Sequence, residues 1–563
     1  MRLHTPIPRG ESRSEVLNEC VPSVRIGPVS ASTNYPRASL LPSRRDILRA
    51  KTPRPLMNER PHIEDDTPLS RQILWPLLLA IAWGIGPALP ALQQGQLLGH
   101  PYTDLYPSVW GLWLFAEAQP GLDSSTLMLG HPDGMGFAYS SPIKGWFATL
   151  LIPIFGLPST WNLLLLMSRM ATVISAWLAG RAWGLGERGA LTAAAVYGCA
   201  PFFHGYAVEG IVEGTDGWTL ALWAWSVGRQ RTVLSAVFLA LTAWSSWYLG
   251  ICACLLTVLS SVERPRRLWS LAGLLLVFPT WWTFSQAFPA RSPLPPEIRS
   301  AMGAPLQIPS PGIGEDFHFS AMTAWIGAAT LLAALASRKQ WLWLLLIPAT
   351  LSLGVGPLYE LPVLSDIRFP YRWHAATLAL LALCAGATAD KGVWGWMLAP
   401  IIIAEGMLTS PIEPIIPGSD PSVPAIYAEV DEPLLELPGP VALPPGEVNL
   451  SRPRARYLLY YQTFHGQPSP WVPDFNSVGV SSAAEHLDPY RSRDPVESLE
   501  ELPIEASDIA KLRDEGIGLV MIHRCELRDC GATRGARRLQ IQLERLGAEV
   551  VADDGERCLL ALP

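Results

Sequence analysis

The chain has 563 residues and a formal net charge of −7; 49% of it is hydrophobic and 16% charged, where a soluble protein of this length carries about a quarter charged residues. That balance excludes an ordinary soluble enzyme, and the absence of any basic patch interleaved with aromatics excludes a nucleic-acid partner. Residues 73–409 are mostly apolar runs and residues 410–563 are acidic and soluble-looking, so the class is a polytopic membrane protein with an appended soluble domain.

Residues 1–71 are rich in Pro, Ser and Arg, have no apolar period and lack the apolar core of a signal peptide, so a disordered cytoplasmic tail is expected there. Met57 is an alternative start. The apolar runs then define candidate spans at 73–92, 160–180, 189–203, 217–228, 232–246, 248–261, 268–286, 321–337, 341–357, 372–389 and 393–409, several of them shorter than the roughly 20 residues of a straight span. Arg181 and Arg188, Arg229 and Arg231, the run 263–267, Arg338 with Lys339, and Lys391 fall on every second connection, which makes those connections cytoplasmic. The alternation requires that 145–157 does not cross, consistent with its re-entrant or interfacial length. Eleven spans put the N-terminus inside and everything after 410 outside.

The longest outer connection, 93–159, follows the first span. Between 93 and 144 it carries Asp104, Glu117, Asp123 and Asp133, and no Lys or Arg before Lys144. Asp104 opens an amphipathic stretch; it either caps that helix or serves chemistry at the water–lipid boundary. The connection 204–216 crowds His204, Glu209, Glu213 and Asp216 into thirteen residues, with Trp218 behind. It is a solvated loop or part of a site, and it has no second His at the spacing of a metal motif. Arg368 and Arg372 flank Phe369-Pro370-Tyr371 at the outer mouth of a span, where forked guanidinium donors suit a lipid phosphate or an interfacial anchor. Arg169 lies near the middle of its span, with Glu405 as a candidate partner or the pair as a structural tie.

Past a Pro-rich linker at 411–432, the segments 433–438 and 456–462 read as strands, 496–514 as helix, 518–523 as a buried strand, 533–547 as an amphipathic helix and 548–561 as one or two strands. That order suggests a small α/β domain, and the chain is expected to divide into 1–71, 72–410 and 411–563. Cys525, Cys530 and Cys558 allow one disulfide and leave one thiol over. Neither a nucleophile elbow nor a P-loop occurs.

The order of these features resembles the GT-C superfamily of polytopic glycosyltransferases, and more closely a group of bacterial membrane proteins allied to it. The stretches that carry the resemblance are Asp104…Trp110, His131-Pro132-Asp133-Gly134, Asn162-Leu163-Leu164-Leu165, Pro201-Phe202-Phe203-His204, Arg368-Phe369-Pro370-Tyr371-Arg372, Leu435-Glu436-Leu437-Pro438 and Tyr460–Gly466, spread over residues 73–563. The resemblance implies a mainly α fold, a GT-C-like transmembrane helix bundle with a small extracytoplasmic α/β domain, in the inner membrane of a bacterial cell envelope. It implies transfer of a sugar from a polyprenyl-phosphate donor to a glycan, lipid or protein acceptor on the outer face. Asp104 maps to the acid that there is the general base or a metal-linked carboxylate and is assigned as base here, with Arg368 or Arg372 as phosphate ligand and His204, Glu209, Glu213 and Asp133 as further substrate-binding candidates. The paired acids usual in that superfamily are replaced by Thr103 before Asp104 and Leu105 after it; a divalent metal is the cofactor the resemblance allows. The alternative from another class is a transporter, flippase or envelope-polymer assembly factor that keeps the scaffold without chemistry. A transporter's internal repeats are not visible in the sequence, and the charges cluster at the outer mouth.

Overall fold

The computed structural model describes residues 69–101, 103–118, 125–137, 139–262, 264–287, 325–337, 341–354, 359, 367, 369–392, 395–437, 455–471, 487, 504–524 and 533–563. Residues 1–68, Asp123, Arg368, Cys525 and Cys530 lie outside the described residues.

Helix α1 (Leu69–Ile85) runs on through the tighter turn Gly86–Ala88 and the short α2 (Leu89–Gln93). Strand β1 (Leu97–Leu98) and α3 (Leu105–Trp113) begin the long loop, which continues through β2 (Ser125–Thr126) and β3 (Met135–Gly136). Then come α4 (Pro142–Phe155), α5 (Leu157–Ala182), α6 (Glu187–Gly198), α7 (Pro201–Val208), α8 (Gly217–Gly228), α9 (Thr232–Ser245), α10 (Trp247–Ser261) and α11 (Leu274–Ala287). Helices α12 (Ala328–Ala336), α13 (Trp341–Ser352), α14 (His374–Ala389) and α15 (Gly395–Thr409) follow. Two apolar helices, Ile73–Gln93 with 21 residues and Leu157–Ala182 with 26, are long enough to cross a membrane. Pro142–Phe155, Thr232–Ser245, Trp247–Ser261 and Gly395–Thr409 are apolar but shorter.

The bundle is built on α5, which packs against α6, α8 and α1, while α14 packs on α6 and α12. Small residues make this close approach work: Ala190, Ala194, Ala253, Ala375 and Ala385 are fully buried at the contacts. Large apolar side chains point the other way, among them Leu74 and Trp75 on α1, Leu150 and Ile154 on α4 and Leu275 on α11. A soluble protein does not leave such bands in water; a lipid surface accommodates them. Helix α4 and helix α5 meet at Gly156, whose φ of +74° is a left-handed conformation that suits glycine. The segment expected to be re-entrant is thus a 14-residue helix turned sharply into the long α5. The expected span at 189–203 breaks before Pro201, because proline lacks the N–H that would continue α6 and instead starts α7.

Past the bundle, β4 (Gly418–Ser419) pairs antiparallel with β1 and ties this segment to the first loop. Strand β5 (Leu434–Leu437), α16 (Ala455–His465), α17 (Ala506–Asp514), β6 (Leu519–His523), α18 (Thr533–Arg545), β7 (Glu549–Asp553) and β8 (Arg557–Ala561) follow. The sheet order is β5-β6-β8-β7, with β5 parallel to β6 and the other pairs antiparallel. All five β6 residues are buried, since α17 and α18 residues cover one face through Leu512, Leu539 and Leu543 while Ile426 and Tyr427 cover the other.

Two sequence expectations need correction. Residues 456–462 form helix α16, not a strand: the tyrosines of the run have strand propensity, but its leucines favour helix and packing on α3 buries Leu459 and Tyr460. Glu405 is not the partner of Arg169. Its carboxylate accepts from the backbone N–H of Ala328 at 2.7 Å and of Ala329 at 3.0 Å, satisfying the open donors at the start of α12.

Candidate active site

The loop after the first long helix and the connection 208–216 lie backbone against backbone. The His100 N–H donates to the Val208 carbonyl at 2.7 Å, and Thr103 Oγ1 donates to the Glu209 carbonyl at 2.5 Å. A Cβ at Gly210 would stand 2.7 Å from the Leu105 Cα, so no side chain fits at this crossing. The Val212 N–H donates to Ser108 Oγ on α3 at 3.3 Å, which continues the seam. Asp104 sits at its start.

Asp104 occupies the N-cap position of α3, yet its side chain makes no capping hydrogen bond. Its Oδ1 instead accepts from Arg456 Nη1 on α16 at 2.9 Å. The Asp104 side chain is 39% exposed and that of Arg456 19% exposed, so the pair stands at an open edge. Beside it, Tyr106 packs its ring against Tyr457 and Tyr460 at 4.6 and 5.2 Å. Burial pushes the Tyr106 hydroxyl well above its ordinary range, with the neighbouring tyrosines adding to the shift.

A second group of charges lies deeper on the same connection. Lys144, in the first turn of α4, has its Nζ 3.2 Å from Asp216 Oδ1 and donates to the Val212 carbonyl at 3.0 Å and to Thr215 Oγ1. The same Asp216 carboxylate accepts from Ser168 Oγ at 2.7 Å, Trp218 Nε1 at 3.1 Å and Ser141 Oγ at 3.4 Å. The Glu213 carboxylate accepts from Arg372 Nη1. The Arg372 guanidinium carbon lies 3.9 Å from the centre of the Tyr248 ring and 4.7 Å from that of the Phe369 ring, within cation–π range. Tyr139 completes the group. Its ring lies against Phe115 at 5.9 Å, and its buried hydroxyl has no hydrogen-bond partner among the described residues.

The sequence candidates therefore separate. Glu213 and Arg372 meet directly, 159 positions apart. Asp104 pairs with Arg456 rather than with Arg372, and Arg368 lies outside the described residues. Glu209 is buried and meets the first loop through its backbone carbonyl. Asp133 is exposed in a turn two residues past His131, whose backbone N–H donates to the Ser469 carbonyl. His204 is committed elsewhere: Nδ1 accepts from Arg169 Nη1 at 2.9 Å and Nε2 donates to the Glu413 carbonyl at 2.7 Å, which fixes one neutral tautomer. Arg169 also donates to the Trp83 carbonyl at 2.7 Å, so neutral dipoles, not an acid, hold this buried cation. Lys144, Tyr139 and Arg456 are additions. Lys144 had a visible signal as the first Lys or Arg after a long base-free loop; Arg456 was hidden by the strand reading of its segment.

Among the described residues no three His, Cys, Asp or Glu side chains converge as metal ligands. Among the described residues, the Asp104 carboxylate holds a guanidinium and the Asp216 carboxylate an ammonium.

The fold resembles that of a solved membrane glycosyltransferase. The structure of an arabinofuranosyltransferase, AftD, from Mycobacteria superposes with a TM-score of 0.55 at 16% identity over 88% of this chain, which spans 39% of that protein's length. The oligosaccharyltransferase of Archaeoglobus fulgidus gives 0.46 at 9% identity over 83% of this chain and 72% of its own. A second structure from that organism, oligosaccharyltransferase AglB with an inhibitory peptide and a dolichol-phosphate, gives 0.43 at 10% identity over 88% of this chain and 74% of its own. No protein-family model and no curated protein matches the sequence.

Proposed function

We propose that this protein is an integral-membrane glycosyltransferase that moves a sugar from a polyprenyl-phosphate carrier to an acceptor hydroxyl on the outer face of a bacterial inner membrane. The observation that carries the reading is the Asp104 carboxylate: it stands at a helix start without capping it, partly open, with the Arg456 guanidinium at 2.9 Å. A carboxylate at an open edge, within hydrogen-bond reach of an acceptor hydroxyl, can serve as the general base. In the proposed step the acceptor O–H gives its proton to Asp104, its oxygen bonds to the anomeric carbon, and the bond from that carbon to the phosphate oxygen breaks. Polyprenyl phosphate leaves with the electron pair. Arg372 is the proposed phosphate ligand: Glu213 engages one guanidinium nitrogen, and the Tyr248 ring lies 3.9 Å from its guanidinium carbon. In this reading the N-terminus is cytoplasmic and the C-terminal sheet lies outside, on the side of the loops that hold Asp104 and Glu213.

The test uses the full chain purified from membranes, with labelled polyprenyl-phosphate sugars and an envelope extract as acceptor. Release of polyprenyl phosphate with incorporation of label supports the reading. Saturable donor movement across vesicles without cleavage would favour a transporter instead.

A further inference from the structure

Helices α5, α6, α8, α10 and α14 leave a cavity of about 590 Å³ between them. Protein interiors hold few voids larger than a water molecule, so a space of this size is a feature of the fold and not a packing fault. Its wall is cut back to small residues, among them Ala176, Gly180, Ala193, Ala221 and Ala382. The inner end, at Tyr197 and Leu220, is buried; the mouth is where Trp183, Ala224 and Ser260 are partly exposed. Among the described residues the wall has two hydroxyls, and both are spent within the protein. Tyr197 donates to the Gly217 carbonyl at 3.0 Å and Ser260 to the Thr257 carbonyl at 3.1 Å. Such a wall suits a hydrocarbon chain better than a polar ligand.

The mouth is basic. The Arg267 guanidinium carbon stands 4.8 Å from the centre of the Trp183 ring, and Arg267 Nη1 donates to the Ser260 carbonyl at 2.9 Å. Arg266 precedes it, and Arg229 follows Gly228, where an added Cβ would stand 3.0 Å from Trp183 Cδ1; both arginines are exposed. The connections 229–231 and 263–267 together carry five Arg and one Glu. Val262 and Trp269 beside them are exposed, as side chains at a lipid surface are. This end is remote from the proposed phosphate ligand: Tyr248, beside Arg372, and Ser260 lie at opposite ends of α10, roughly 18 Å apart along its axis.

We infer that this cavity binds one anionic phospholipid, with an acyl chain between the helices and the phosphate among the arginines at the mouth. The lipid comes from the leaflet opposite the proposed active site, so it is distinct from the polyprenyl-phosphate donor, and the inference does not depend on the glycosyltransferase reading. Forked guanidinium donors match phosphate oxygens, and the net positive charge of the two connections favours an anionic headgroup over a zwitterionic one. The chain fills a space that the side chains of five helices leave open, so binding stabilises the bundle by mass action.

Native mass spectrometry of the delipidated full chain, titrated with phosphatidylglycerol and phosphatidylcholine of equal chain length, tests this. One phosphatidylglycerol is expected to bind saturably, about tenfold more tightly than phosphatidylcholine, and to raise the melting temperature. Ala221→Leu and Ala382→Leu, which fill the cavity, should each weaken that binding about tenfold. Arg229→Gln combined with Arg266→Gln, on the exposed rim, should bring the two lipids within about threefold of each other. If a leucine variant melts early, the parent supplies the readout: phosphatidylglycerol with a diazirine at its chain end should crosslink to the cavity wall near Tyr197 or Leu220. The inference is overturned if neither lipid saturates, if both bind equally, if the leucine variants bind as the parent does, or if the crosslinks fall on the outer faces of the helices. Displacement of the probe by polyprenyl phosphate would also overturn it, because the space would then belong to the donor's chain.

Discussion

Lys144 Nζ stands 3.2 Å from Asp216 Oδ1, with side-chain exposures of 4% and 1%, so the start of α4 is bound to the connection before α8 by an ion pair cut off from water. Removing one partner leaves the other charge buried, which costs about 3–5 kcal/mol. Lys144→Met and Asp216→Leu should each lower the melting temperature strongly, and the double variant should recover part of that loss. Additive losses in the double variant would mean the two groups do not interact.

Arg372 and Glu213 are held differently, by cation–π contact as well as charge. Arg372→Lys keeps the charge and loses the planar fork beside Tyr248 and Phe369. Its stability should fall by about 1–2 kcal/mol, and donor affinity should fall with it, read as a raised KM for the polyprenyl-phosphate sugar. An unchanged KM would remove Arg372 from the phosphate site.

The Tyr139 hydroxyl is buried without a hydrogen-bond partner among the described residues. An unsatisfied hydroxyl costs about 1–3 kcal/mol, and deleting it recovers part of that. Tyr139→Phe should therefore melt higher than the parent by an amount equivalent to about 1 kcal/mol. A lower melting temperature would show that the hydroxyl is bonded in the native protein.

His465 sets a pH dependence. Burial holds its imidazole down at about 4 against an ordinary 6.5, with Glu436 opposing the shift. Between those values the unfolded chain binds a proton that the folded chain does not. The stabilisation is full above pH 6.5 and is lost as pH falls toward 4. Melting temperatures across that window should drop in the parent and drop less in His465→Gln. Parallel curves would assign the acid sensitivity to another group.

The helical class was legible because apolar runs dominate residues 73–409, and β6 was legible as a compact apolar segment. What the pattern does not carry is pairing at a distance. Glu213 and Arg372 each stood out by residue type, but a gap of 159 positions is closed only by the bundle. Arg169 signalled a buried charge, yet its partners are His204 and two backbone carbonyls, and no residue type marks a carbonyl. Helix α16 was misread because its tyrosines favour strands locally, and with it went Arg456, the cation that pairs with the proposed base.

The central claim is that Asp104 takes the acceptor proton, and Asp104→Asn tests it most directly. Asparagine keeps the size and can still accept from Arg456, so expression and melting should stay near those of the parent, while label transfer from the polyprenyl-phosphate donor should fall by a factor of about 10²–10⁴. Transfer at the parental rate in a well-folded Asp104→Asn protein would contradict the account.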